Sequence, residues 1–192
     1  MADLVLASAS PRRAQILRSL GVSFRVVVSE AEERLEPGEA GAAAAERLAR
    51  LKAATVGRVE PPPILAADTV VVCDDRILGK PASPDDARRM LRMLAGRTHE
   101  VVTGLCLVAP RATLSGVERT EVTFAPMSAE EIDGYVATGE PMDKAGAYHV
   151  DGRGALFVSG VVGSPSNVAG LPVRLFLRLV REAGLDVGLP RI

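Results

Sequence analysis

The segment Ile64-Leu65-Ala66-Ala67-Asp68-Thr69-Val70-Val71-Val72-Cys73 constrains this chain more than any other. It is apolar and largely β-branched apart from Asp68 and Thr69, which predicts a central strand, and Asp74-Asp75 predicts a hairpin turn into Ile77 and Leu78. Burying an unpaired charge is expensive. Asp68 must therefore reach a cleft, a cation or a metal, unless it is a satisfied structural acid at a strand end or bulge.

The elements around this strand read from their punctuation. Leu4 to Ala7 predicts a short buried strand; Ser10 as N-cap and Pro11 at the first helical position then open a helix to about Leu20, which Gly21 stops. A second strand covers Phe24 to Val28. The acids Glu30, Glu32, Glu33 and Glu36 crowd a loop before a long helix, about Ala40 to Val59, which Pro61 to Pro63 ends. Ser83-Pro84-Asp85-Asp86 opens a helix whose Met90, Leu91 and Leu94 face inward until Gly96. Two strands follow, Glu100 to Val108 and Val117 to Ala125. Ser128 to Glu131 is a capping box for a helix to Thr138, stopped by Gly139. A polar loop to Tyr148, a strand near Leu156 to Val162 and a helix from Pro172 to Glu182 complete the reading. Hairpins mixed with crossover helices predict an α/β fold with a mixed sheet flanked by helices. With 192 residues and no repeat or linker, the chain is expected to form one domain, 1–192.

The formal net charge of −1 leaves no global field for nucleic acid or an anionic membrane, and an aromatic content of 3% excludes a stacking platform for single strands. Any phosphate site must be local. Cys73 and Cys106 lie in apolar runs without ligand neighbours, so they read as buried hydrophobes of a reducing cytoplasm. Asp3 and the short Leu4 to Ala7 run do not have the shape of a signal peptide. Gly154 to Val173 spans 20 residues without a charge, but its four glycines, two prolines and interspersed Ser and Asn read as a strand, a loop and a helix start rather than a membrane span.

Three groups of residues could carry chemistry. Ser8-Ala9-Ser10-Pro11-Arg12-Arg13 places hydroxyls and guanidiniums where a strand feeds a helix N-terminus, a position that favours anions. Arg forks match phosphate oxygens, although a plain N-cap with two surface arginines would use the same residues. Asp68 is the second, since a hard cation such as Mg²⁺ takes such carboxylates beside substrate phosphates. The third is a matter of usage. Of 23 basic side chains only Lys52, Lys80 and Lys144 are lysines, so a compact ammonium has been kept at three places in an arginine-rich chain. Glu32 and Glu33 read as solvated loop acids or as a second carboxylate for a metal. His99 and His149, the only histidines, form no evident nucleophilic constellation.

Seven ordered blocks resemble one family, the Maf (septum-formation protein) nucleotide pyrophosphatases. They are Leu6 to Arg13, Ser29 to Glu33, Ala67 to Val71, Leu78 to Pro81, Leu94 to Gly104, Gly139 to Tyr148 and Asn167 to Pro172. The resemblance implies hydrolysis of a nucleoside triphosphate to monophosphate and pyrophosphate with a divalent metal, Mg²⁺ foremost, with Mn²⁺ and Co²⁺ as alternatives. It implies a twisted mixed sheet in two lobes about a central cleft, similar to the inosine triphosphate pyrophosphatases, and a homodimer as partner. By position, Asp68 corresponds to the family's proposed acceptor of the attacking water's proton. A carboxylate on a metal stays ionised, so it would more readily position that water. Glu33 resembles the metal-side carboxylate, Lys80 completes the catalytic set, and Ser8, Ser10, Arg12, Arg13, Lys52 and Lys80 match phosphate-side groups.

The Asp143-Lys144-Ala145-Gly146-Ala147-Tyr148 block resembles the subfamily associated with dTTP and UTP. There, base preference is linked to positions matching Arg13, Thr69 and Asp151, with Lys144 beside them. The family usually carries Gln where this chain has Asp151. Gln donates and accepts whereas an ionised Asp only accepts, which leaves a different base preference open. A nucleotide-binding regulator of septation that turns over slowly or not at all is the alternative from another class.

Overall fold

The computed structural model describes residues 3–189. Seven strands form one mixed sheet: β1 (Leu4–Leu6), β2 (Phe24–Val26), β3 (Ile64–Cys73), β4 (Arg76–Leu78), β5 (Thr98–Val108), β6 (Thr113–Phe124) and β7 (Val158–Val162). Their order is β2-β1-β3-β5-β6-β7, with β4 as a short hairpin partner on β3. The β1–β2 and β1–β3 pairs are parallel, and every other pairing is antiparallel. This is the mixed sheet expected from hairpins and crossovers. Six helices accompany it: α1 (Pro11–Ser19), α2 (Gly41–Val56), α3 (Pro84–Leu94), α4 (Ala129–Ala137), α5 (Pro165–Val168) and α6 (Val173–Glu182). No helix among the described residues is long and apolar enough to cross a membrane.

The central strand is β3, and its alternation explains the layers. Leu65 and Ala67 pack on one face beneath α1 and α6, with Leu17 and Phe176; Val71 and Cys73 pack further along the same face beneath α3 and α4, with Leu91 and Ile132. On the opposite face Ile64 and Ala66 meet Ala49, Ala53 and Val56 of α2, while Val70 meets Ala45. Successive side chains alternate between faces. Thr69 therefore sits between the two clusters of one face and Asp68 between those of the other. The core splits into two lobes along β3, and the split falls where the sequence breaks its apolar run.

One close approach sets the position of α2. Gly104 of β5 is paired with Asp68, and a Cβ built on it would lie 2.6 Å from the Glu46 amide nitrogen and nearer still to the Ala45 carbonyl group. Only a residue without a side chain lets the helix backbone rest on the sheet there.

Several boundaries differ from the sequence reading, each for a tertiary reason. β6 starts at Thr113 rather than Val117 because it pairs with β5 along that strand's whole length, from Thr98↔Thr123 to Val108↔Thr113. β2 ends at Val26 because β1, its only neighbour among the described residues, ends at Leu6. The long helix stops at Val56, with Gly57 as its C-cap. A 3₁₀ turn, Arg153–Phe157, delays β7 to Val158, and α5 within the Gly-rich loop was not foreseen.

Candidate active site

A cleft of about 990 Å³ opens at the split in the core. Its walls come from the β1–α1 junction (Ala7 to Arg13), the acidic loop (Val28 to Leu35), α2, β3, the Gly79-Lys80 turn, the Asp143 to Val150 segment and the Val168 to Gly170 turn. Ser8, Ser10, Arg12, Arg13, Glu33, Lys52, Asp68, Thr69, Lys80 and Lys144 all line it. Asp151 does not: it is exposed, and its neighbours His149 and Val150 reach the wall instead.

At the floor, Lys52 Nζ lies 2.6 Å from Asp68 Oδ1 and 2.9 Å from Glu33 Oε2. The Lys52 and Asp68 side chains are nearly fully buried, whereas that of Glu33 is 43% exposed. The geometry follows from the helix period: Ala45, Ala49, Ala53 and Val56 hold α2 on the sheet, and Lys52 projects from the same buried face beside Ala53. Burial pushes the Asp68 carboxyl above the usual carboxylate range, against the pull of Lys52 and Arg13. Ion pairing with Lys52 supplies the cation that a buried Asp68 requires.

The phosphate-side expectation gains a structural argument at α1. Ser83, Ser128 and Ser164 each accept a backbone N–H of the helix they precede, but Ser10 makes no such bond at α1. The first-turn amides of α1, like those of α2 and α6, thus lack a side-chain cap, and those of α1 stand beside the cleft. An anion would satisfy them. Arg12 and Lys80 line the same space and make no ion pair among the described residues.

Arg13 is used differently. Its guanidinium is buried and donates to Gly170 O (2.8 Å), Ser8 Oγ (2.9 Å) and Thr69 Oγ1 (3.1 Å), so three of its five N–H groups already bind the protein. Thr69 in turn shares a hydrogen bond with Thr103, which donates to the Asn167 carbonyl. Arg13 ties β1, β3 and the α5 turn together before any ligand arrives.

On the other side of the cleft, Lys144 pairs with Asp143, and the buried Tyr148 hydroxyl lies 2.9 Å from His99 Nε2. Sequence reasoning did not single out Asp143 or Tyr148, and it set His149 aside, although all three line the cleft. Their only signal was membership of the Gly139 to Tyr148 block and its next residue. Burial together with Arg12 and Lys144 lowers the His149 pKa, which keeps that ring neutral.

Burial lowers the His99 pKa to about 4, and its Nδ1 is buried without a partner. Between pH 6.5 and about 4 the unfolded chain binds a proton that folded His99 does not, so stability is lost as pH falls through that window. The expected loss is about 3 kcal/mol. Urea unfolding from pH 7 to pH 4 measures it, and a His99→Gln variant, which cannot charge, should lose most of that slope.

A second groove of about 720 Å³ runs between β6 and α6, lined by Glu118, Arg174, Arg178 and Arg181 among others. It gathers no buried polar side chain and offers no rival site.

A mixed sheet whose central strand carries a paired carboxylate between two core clusters, beside an uncapped helix N-terminus, defines a class: an α/β protein with a cation-rich cleft at the junction of two lobes. The Staphylococcus aureus Ham1 protein superposes with a TM-score of 0.52 at 13% identity, covering 94% of this chain and 97% of that one. A HAM1 protein from Coxiella burnetii gives 0.51 at 17% identity, covering 94% and 100%. These likenesses show the fold and agree with the fold class expected above. The family profile described as Maf-like protein matches residues 3–183, and the chain belongs to the Maf family. It is 48% identical over 183 residues to the dTTP/UTP pyrophosphatase of Koribacter versatilis (strain Ellin345), covering 95% of each chain. It is 43% identical over 188 residues to the dTTP/UTP pyrophosphatase of Bacillus cereus (strain B4264), covering 97% of this chain and 98% of that one.

Proposed function

We propose that this protein hydrolyses nucleoside triphosphates between the α and β phosphates, dTTP and UTP foremost, releasing the monophosphate and pyrophosphate. The observation that carries the reading is the convergence of Asp68 and Glu33 on one ammonium in a cleft whose remaining charged wall is largely cationic. Relatives named for this activity share 43–48% of their residues with it over nearly their whole length.

The residues fit a divalent cation. Two carboxylate oxygens already meet at a point that holds positive charge, the Lys52 ammonium. Such a site suits Mg²⁺, which binds through one or two carboxylates and takes its other ligands from water and phosphate. Asp68 and Glu33 would hold it. When bound, the cation would polarise the phosphoryl oxygens and offset their charge. The chain's own groups do the rest. Asp68 orients a water toward the α-phosphorus and is placed to accept its proton, while the α1 amides, Arg12 and Lys80 stabilise charge on the departing pyrophosphate. Arg13, held by three protein bonds, keeps Ser8 and Thr69 in place. The buried free thiols Cys73 and Cys106 suit a reducing cytoplasm.

Incubation with Mg²⁺ and a panel of common and modified triphosphates, scoring pyrophosphate apart from orthophosphate, tests the reading. Pyrophosphate from UTP and dTTP at roughly tenfold or greater preference over purine substrates is expected. Tight nucleotide binding with no turnover would replace the hydrolase by a nucleotide-binding regulator.

A further inference from the structure

A carboxylate outside the catalytic cluster, Glu140, gathers three donors. Its Oε1 accepts from the Tyr135 hydroxyl at 2.8 Å and from the Gly154 amide at 3.1 Å, and its Oε2 accepts from the Arg153 amide at 3.2 Å. The Tyr135 oxygen accepts in turn from the His149 amide at 3.0 Å. One carboxylate and one phenol thus bind both ends of the segment from His149 to Gly154.

The segment wraps these groups tightly. A Cβ on Gly152 would lie 2.7 Å from Glu140 Oε2 and 2.6 Å from His149 Nδ1, and one on Gly154 would lie 2.8 Å from the Tyr135 hydroxyl. Gly154 demands glycine because the His149 backbone also lies 2.7 Å away, whereas a methyl on Gly152 would displace the Glu140 carboxylate and the His149 ring. Burial pushes the Glu140 pKa up, but the bonds from Tyr135, Arg153 and Gly154 outweigh it and hold the group below its usual range, so it stays ionised at neutral pH.

Glu140 itself is not part of the cleft wall, but the segment it holds is: His149 and Val150 line the cleft next to Tyr148. The cationic wall suits the triphosphate. This neutral stretch, an aromatic ring, an uncharged imidazole and an aliphatic side chain, suits the base.

We propose that Glu140, through Tyr135, is a positioning residue for base recognition, holding residues 149–154 as one wall of the cleft without touching the substrate. The proposal rests on the nucleotide hydrolase reading above and names how that site tells one base from another. A wall built on irregular backbone has no sheet to fix it, and a displacement of about 1 Å there is enough to misplace a bound substrate.

Glu140→Gln tests this. The variant keeps one acceptor oxygen but turns an NH₂ group toward a backbone N–H, so one bond is lost and two donors face each other. Tyr135→Phe, which removes the hydroxyl that donates to Glu140 and accepts from the His149 amide, is the second variant. Both should raise KM for UTP about tenfold with kcat within about twofold, and should lower the UTP-over-CTP ratio of kcat/KM. Inhibition by pyrophosphate, which reads the phosphate side alone, should not change. Hydrogen exchange at the Arg153 and Gly154 amides should accelerate about tenfold or more in Glu140→Gln.

Two results overturn the proposal. One is faster exchange with an unaltered KM and UTP-over-CTP ratio. The other is a parallel loss of kcat and pyrophosphate inhibition, which marks a general structural role. If the parent protein cleaves no nucleotide, the hydrolase reading fails separately, and calorimetric UMP affinity decides: weakening in both variants supports the clamp, whereas equal affinity, or no UMP binding by the parent, sinks it.

Discussion

Replacing Asp68 by Asn should lower kcat for pyrophosphate release by about 10³-fold while leaving the protein folded. The substitution keeps the shape of the side chain and removes its charge and its ability to accept a proton. Asp68 is 6% exposed and is bound at 2.6 Å by Lys52, so its effect on the substrate comes from a fixed position rather than from a mobile surface acid. Removing one partner of a buried pair usually costs about 3 to 5 kcal/mol, because the other charge is left alone. Here Lys52 keeps Glu33 at 2.9 Å, and the variant no longer desolvates a carboxylate, so the loss should fall below that range. Initial rates with UTP and Mg²⁺, with circular dichroism as the fold control, check both statements. Pyrophosphate release within tenfold of the parent would remove Asp68 from the centre of the mechanism.

Gly104→Ala should have the largest effect on stability, although Gly104 touches no site residue by side chain. The added methyl meets the backbone of α2 at Ala45 and Glu46, which cannot swing aside as a flexible side chain could. Overpacking against rigid neighbours costs about 3 kcal/mol, near the top of the usual range, or some 6–12 °C in Tm for a chain of this size. The same displacement moves the helix that carries Lys52 away from β3, so UTP turnover should fall along with Tm. Differential scanning calorimetry and UTP turnover on one preparation test both. A Tm within 2 °C of the parent would mean that α2 is not seated on β5 at this point.

Much of the fold was legible because local chemistry and tertiary structure agree. Ser83, Pro84 and the acids of the next turn start α3 as read, and the capping box at Ser128 closes reciprocally with Glu131. Asp74 and Asp75 turn the β3–β4 hairpin with positive φ, as expected of an Asp pair. Where pairing length decided a boundary, sequence reading fell short. Thr113 to Gly116 is not apolar enough to announce a strand, and only the eleven-residue partner β5 makes it one. The serine before α1 was expected to cap it, yet it leaves the amides open. Each serine precedes a proline, but Ser83 is followed by Asp85 and Asp86 and Ser10 by Arg12 and Arg13, so only α3 has first-turn acids.

The site divides along the same line. The order of residues alone states that a carboxylate interrupts a core strand, that three lysines persist among many arginines, and that Ser8 to Arg13 lies where a strand meets a helix. These are statements about composition and order, and the cost of burying charge makes them informative without coordinates. Which charges meet is settled by folding. Lys52 and Asp68 are 16 residues apart and Arg13 and Gly170 are 157, and the first of these pairs depends on Gly104 letting a helix rest on the sheet. Folding also leaves Asp151 outside the cleft wall, and it sets Glu140, unremarkable in sequence, with Tyr135 to bind both ends of the segment that carries Asp151. Hydrogen bonds and ion pairs act over about 3 Å, and nothing in the order of residues states which distant groups will come that close.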